Sequence, residues 1–116
     1  MSVTVISPPA ARRAAVLQGL ANLAAFIETH DLPLGNHDPL RYCVRLGSDD
    51  ANRAEVERVA EILGDMAAES ADGTHLSTWR EFGGGIRYSA FTITAAEGDR
   101  YRQRMAGFYA REGAAA

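Results

Sequence analysis

The sequence contains no lysine: all twelve of its basic residues are arginine. Because alanine is also abundant, a GC-rich coding sequence explains this most simply; arginine and lysine differ mainly at bidentate or stacked sites. A single cysteine, Cys43, excludes an intramolecular disulfide and gives no sign of an oxidising compartment. Long apolar runs are missing as well. The longest apolar-rich stretch, from Ala14 to Ile27, is broken by Gln18, Gly19 and Asn22 and is too short to span a bilayer. No basic region followed by a long apolar one marks the N-terminal stretch as a secretory signal, so the expected location is the cytoplasm. Excess positive charge is absent too. A net charge of −3 argues against a general nucleic-acid binder, which usually carries a basic field. There is no internal repeat.

What is present suits one globular domain. With 116 residues, 47% hydrophobic and 23% charged, the chain can close a single core but not two. The expected domain is the whole of 1–116, with loose ends at 1–7 and 112–116.

Ser2–Ile6 alternates enough for a short edge strand. Ser7-Pro8-Pro9 reads as a helix entrance, since serine caps orphan amides and proline tolerates the first turn. From Ala10 to His30, Val16, Leu20, Leu23 and Ile27 form one apolar stripe. The following "HDLPLGNHDPL" carries two prolines and a glycine and is a loop. "LRYCVRLG" alternates, with Leu40, Tyr42, Val44 and Leu46 opposite Arg41, Cys43 and Arg45, as in a half-buried strand. In "SDDANRAEVERVAEILGDM", Val56, Val59, Ala60 and Leu63 form a core stripe, Asn52 with Glu55 fits a capping box, and Gly64 ends the helix. Arg53/Glu57 and Arg58/Glu61 are the expected pairs on its wet side. Residues 65–70 read as a short strand, because Asp72-Gly73 after them suits a hairpin turn.

Gly83-Gly84-Gly85, in "WREFGGGIRYSAFTI", raises the question of a phosphate cradle. Such a loop follows a strand, opens a helix and either spaces its glycines or ends in lysine. Here the chain continues into Ile86, Tyr88, Phe91, Thr92 and Ile93, which favour strands. The glycines therefore make a hairpin turn closed by Phe82 and Ile86. In that register Leu76, Thr78, Arg80 and Phe82 share a face with Ile86, Tyr88 and Ala90, while Trp79, Phe91 and Ile93 lie on the other. Both faces are partly apolar, so something must cover the second. Within the chain, a C-terminal helix capped by Asp99 would present Tyr101, Met105, Phe108 and Tyr109; outside it, another subunit would serve.

No catalytic set emerges. His30 and His37, beside Asp31 and Asp38, and the distant His75 match no metal-ligand spacing. Cys43 between Arg41 and Arg45 lacks a histidine partner for nucleophilic work. Glu57, Glu61, Glu69 and Asp65 sit in no apolar pocket that would separate an acid from a base. No metal and no cofactor is expected. Arg100, Tyr101, Arg102 and Arg104, in "RYRQR", interleave arginine with an aromatic and could grip phosphates and stack bases, or form the wet edge of a helix.

Two stretches, "LANLAAFIETHDLPLG" and "HLSTWREFGGGIRYSAFTI", together resemble a group of small uncharacterised proteins of high-GC Gram-positive bacteria and their phages or mobile elements. The resemblance spans most of Leu17 to Ile93 and implies a genomic context; it carries no activity and no catalytic residue. If Ser2–Ile6 is a strand, the order β-α-β-α-β-β is also similar to Alba proteins and the C-terminal domain of translation initiation factor three, which bind nucleic acid.

The fold expected is therefore α+β: a mainly antiparallel sheet of three to four strands, two helices packed on one face, and a C-terminal helix. The core expected is Leu20, Leu23, Ile27, Val44, Val56, Val59, Leu63, Phe82, Ile86 and Tyr88. The function expected is a non-enzymatic accessory or protein-interaction domain of phage or mobile-element type, homodimeric through Trp79, Phe91 and Ile93. The alternatives are a small nucleic-acid-binding domain using Arg100, Tyr101, Arg102 and Arg104, and a small-ligand binder or enzyme with a pocket joining Cys43 or the histidines to polar groups.

Overall fold

A computed structural model describes residues 7–115, with side chains to residue 110; the first strand expected at Ser2–Ile6 lies outside the described residues. The chain runs α1 (Pro8–His30), β1 (Arg41–Cys43), α2 (Asp49–Leu63), β2 (Ala68–Glu69), β3 (His75–Glu81), β4 (Arg87–Ile93) and α3 (Ala95–Ala115). The fold is α+β, with a four-stranded sheet in the order β1-β4-β3-β2. Its β2–β3 and β3–β4 pairs are antiparallel. The β1–β4 pair is parallel, which makes the sheet mixed. α2 is the crossover that makes this possible, because parallel neighbours need a long connection.

Local chemistry sets the element ends. Ser7 caps α1 by accepting from the Ala10 N–H, with Pro8 and Pro9 in the first turn. The cap of α2 is Ser48, accepting from Ala51 N, and not Asn52 or the neighbouring aspartates. Asn52 is buried, and its Oδ1 instead accepts the Leu46 N–H, pinning the loop after β1 to the helix. Gly64 closes α2 at φ 74°, its N–H reaching the carbonyls of Ala60 and Glu61. The residue 65–70 stretch yields the expected strand, and the turn after it is held by Asp72, which accepts from Ser70 Oγ, Thr74 N and Thr74 Oγ1. Those bonds hold the Asp72 carboxyl at about 2, below its ordinary 3.8.

α2 lies on the inner face of the sheet, while α1, expected to pack there beside it, reaches the same core at one end only, through Leu23, Phe26 and Ile27. Leu23, Leu32, Val59, Leu63, Phe82, Tyr88 and Ala90 form the larger core, and Val44, Val56 and Leu76 a smaller one. Ile27 and Ile86 pack against the larger core half-buried. Leu20 departs from expectation at 44% exposed. The reason is that α1 meets the body along Val16, Gly19, Leu23, Phe26 and Ile27, a face rotated away from Leu20.

The three glycines do turn the chain. Gly83, Gly84 and Gly85 all have positive φ, at 112°, 60° and 79°, and Phe82 N bonds Ile86 O at 2.8 Å. They also seat α1: a Cβ on Gly84 would stand 2.6 Å from the Ala15 backbone, and one on Gly19 would stand 2.1 Å from Gly83 O. Asn22 Nδ2 completes the contact by donating to Phe82 O at 3.0 Å.

α3 does not cover the outer face of the sheet. Only Thr94 separates it from β4, and Ala95 N is tied to Asp49 Oδ1 at the start of α2, so the helix has no loop with which to turn back. It starts four residues before the expected Asp99 cap, with Glu97 N donating to Thr94 Oγ1. Tyr101, Phe108 and Tyr109 are exposed and Met105 is half-buried. The radius of gyration is 19.3 Å, against about 13 Å for a compact domain of roughly 100 residues. No helix among the described residues is long and apolar enough to cross a membrane.

Candidate interaction surface

The pairing register divides the hairpin as its sequence pattern implies. Leu76, Thr78, Tyr88, Ala90 and Thr92 point inward and are buried. Trp79, paired with Ser89, and Phe91, paired with Ser77, point outward on adjacent strands, with Ile93 opposite His75 further along. Trp79 is 47% exposed, and Phe91 and Ile93 are half-buried. All three residues expected from the sequence therefore share one face.

β1 adds Arg41 and Cys43 to that face, opposite Ser89 and Phe91. The Arg41 guanidinium lies 5.0 Å from the Phe91 ring centroid, and that of Arg87 lies 4.1 Å from the Trp79 ring. The electrostatic attraction of each pair holds its arginine over an aromatic ring. The outer face is thus apolar at its centre, with arginines stacked on it. Periodicity in the hairpin revealed the aromatics; Arg41 was invisible because its neighbour in space, Phe91, is fifty positions away and joined only by the parallel pairing.

The second expected set, Arg100, Tyr101, Arg102 and Arg104, is brought together on α3, but each of its arginines is already paired with a carboxylate. Glu97 pairs with Arg100 at 2.8 Å and with Arg104 at 3.5 Å, and Asp99 pairs with Arg102. Tyr101 is exposed between them.

The histidines are not gathered. His30 stacks on Phe26 with centroids 4.2 Å apart, His37 is exposed in the loop, and His75 Nδ1 meets Thr74 Oγ1 at 2.7 Å. Among the described residues no group of three or more histidines, cysteines and carboxylates is placed to hold a metal ion. Cys43 is free and half-buried on the outer face, opposite Phe91. Glu57 and Glu61 are exposed on α2, and neither makes the pair expected with Arg53 or Arg58. Arg53 bridges instead to Glu69 on β2 at 2.9 Å, and Arg58 turns to Glu55.

One polar cluster was not legible beforehand. Tyr42 on β1 donates to Glu55 Oε2 at 3.2 Å, and Arg58 Nε donates to Glu55 Oε1. The Arg58 bond holds the Glu55 carboxyl below its usual range. Burial, then Glu55 itself, pushes the Tyr42 phenol up. Tyr88, also raised by burial, donates to Pro33 O at 2.6 Å. The Tyr42–Glu55 bond fastens β1 to α2, and the Tyr88–Pro33 bond fastens the loop to β4. Each group stays in its ordinary ionisation state at neutral pH, so the cluster supplies no acid–base pair.

A groove of about 440 Å³ lies on the inner side, between α1 and the far end of β3. Its walls include Asn22, Phe26, Thr29, His30, Arg80 and Glu81. Arg80 sits 4.9 Å from the Phe26 centroid and 5.2 Å from that of Phe82, and its Nη1 donates to Leu63 O.

Comparison with protein-family models, curated proteins and solved structures finds no match.

Proposed function

We propose that this chain is a non-enzymatic protein-interaction domain that self-associates through the outer face of its sheet. The observation that carries the reading is the contrast between faces. On the inner face of β3 and β4, Leu76, Thr78, Tyr88, Ala90 and Thr92 are buried, while Trp79 on the outer face is 47% exposed beside Phe91 and Ile93. Contiguous exposed apolar surface of this kind marks interaction sites. Aromatics with arginine are also the residues that dominate interface energetics. The exposed Tyr101, Phe108 and Tyr109 of α3 add to the surface a partner would cover.

Nucleic-acid binding through α3 is the second reading. It requires Arg100, Arg102 and Arg104 to exchange Glu97 and Asp99 for phosphates, which makes it the less favoured. An enzymatic reading would need a nucleophile set against an acid–base pair in the groove beside Arg80, and Cys43 lies on the opposite face of the sheet.

Sedimentation equilibrium of the wild type and Trp79→Ala tests the proposal. Loss of a central interface tryptophan typically weakens association by more than about 2 kcal/mol, roughly thirty-fold. An association constant unchanged by Trp79→Ala would remove that surface from the account.

A further inference from the structure

The same tryptophan borders a second feature, on the edge of the sheet and not its face. Along β3 the ladder to β4 alternates. Ser89 gives its N–H to Leu40 O on the β1 side, so its partner Trp79 turns its own N–H and C=O the other way. The same alternation turns the backbone of Glu81 outward. β2 occupies that side only opposite Leu76 and Ser77. Beyond it, the main-chain groups of Trp79 and Glu81 make no hydrogen bond among the described residues. An edge of this kind is a template for another strand.

Three features flank it. Trp79 lies on the outer side, the groove with Arg80 on the inner side, and Arg80 has no carboxylate partner among the described residues. A strand added here places alternate side chains against Trp79 and into the groove.

We propose that the free edge of β3 at Trp79–Glu81 binds an extended acidic peptide as an added antiparallel strand, with a carboxylate of the peptide paired to Arg80 and apolar residues on either side of it resting against Trp79. The added strand runs in the direction of β2, itself antiparallel to β3, and meets the start of β2, where residues 64–67 arrive from α2 without pairing to β3. Two copies of this chain fit the edge poorly. A two-fold axis at position 80 sets Arg80 against Arg80, and one at position 81 sets Glu81 against Glu81; like charges directly opposite are destabilising. The inference extends the interaction reading to a second, distinct surface that shares Trp79.

The probe is a fluorescein-labelled heptapeptide of alternating valine and glutamate, titrated with the full chain and followed by anisotropy. Saturable binding is expected, at least five-fold weaker when the glutamates are replaced by glutamine, and weakened similarly by Arg80→Gln but less by Arg80→Lys. In the antiparallel register the valine amides face β3. N-methylating them should abolish binding, while N-methylating the glutamate amides should leave it. This comparison needs no protein variant, so it survives any loss of folding in Arg80→Gln. Binding indifferent to valine methylation, equal affinity for the glutamine peptide, or no binding at 1 mM peptide overturns the proposal. Occupation of the edge by a second copy would appear as a peptide that does not bind and a chain molar mass altered by Arg80→Gln, and also overturns it. Molar mass measured without peptide reports self-association through the outer face separately, so the failure of one reading is distinguishable from that of the other.

Discussion

Replacing Gly19 with alanine separates local from tertiary reasoning. Gly19 lies inside α1, where alanine is favoured over glycine by about 1 kcal/mol. By helix propensity alone the variant gains stability. The packing predicts the reverse. The added Cβ would stand 2.1 Å from Gly83 O, 2.9 Å from Gly83 C and 3.1 Å from Ile86 Cγ1. Two of those atoms are backbone of a turn fixed by its own bonds, so the helix must retreat by about 1 Å or more to restore ordinary contact. That retreat strains the Asn22–Phe82 hydrogen bond and the 5.2 Å contact between Phe26 and Phe82, and loosens the packing of Leu23. Overpacking costs about 1–3 kcal/mol, and the hydrogen bond adds about 1 kcal/mol, which together outweigh the propensity gain. A net loss of about 1–3 kcal/mol is expected, read as a lower urea midpoint by circular dichroism. Gly98→Ala is the control: it lies in α3, and its Cβ would meet only the flexible Arg102 guanidinium, 3.7 Å away. It should strengthen the helical signal. A Gly19→Ala midpoint above that of the wild type would refute the seating of α1 on the glycine turn.

Other expectations follow from single groups. Thr78 is 1% exposed and its hydroxyl has no hydrogen-bond partner among the described residues, so Thr78→Val should raise stability by about 1 kcal/mol; a clear loss would reveal a partner for the hydroxyl. Asp72 has a folded pKa of about 2 against an ordinary 3.8, so its contribution is present above the ordinary value and is lost as pH falls through the folded one. Asp72→Asn should therefore flatten the acid limb of stability across that interval, and an unchanged acid limb would contradict the role given to the turn.

The sequence was most informative where periodicity and turn chemistry agreed. The hairpin register, the two-faced pattern of β3 and β4, and the ends of α1 and α2 at Asp31 and Gly64 follow from alternation, β-branched residues and special backbone positions. Seven of the ten expected core residues are buried; Leu20 is not, because the contact face of α1 is set by a glycine touching a glycine, which no hydropathy pattern records. The parallel placement of β1 depends on a pairing across nearly fifty residues and was equally unreadable. The start of α3 was legible in principle: Thr94 and Glu97 stand at capping-box spacing, outranked in the reading by Asp99. At the candidate surface, Trp79, Phe91 and Ile93 were readable from strand alternation. Arg41, Arg87 and the free backbone of β3 acquire meaning only from neighbours in space.

The most direct test of the central claim is molar mass by light scattering, at low and high salt, with and without mixed oligonucleotides. The outer-face account predicts a dimer, twice the chain mass, that persists in salt and ignores oligonucleotides. A monomer that gains mass only with oligonucleotide, and loses it in salt, would contradict the account and favour the arginines of α3.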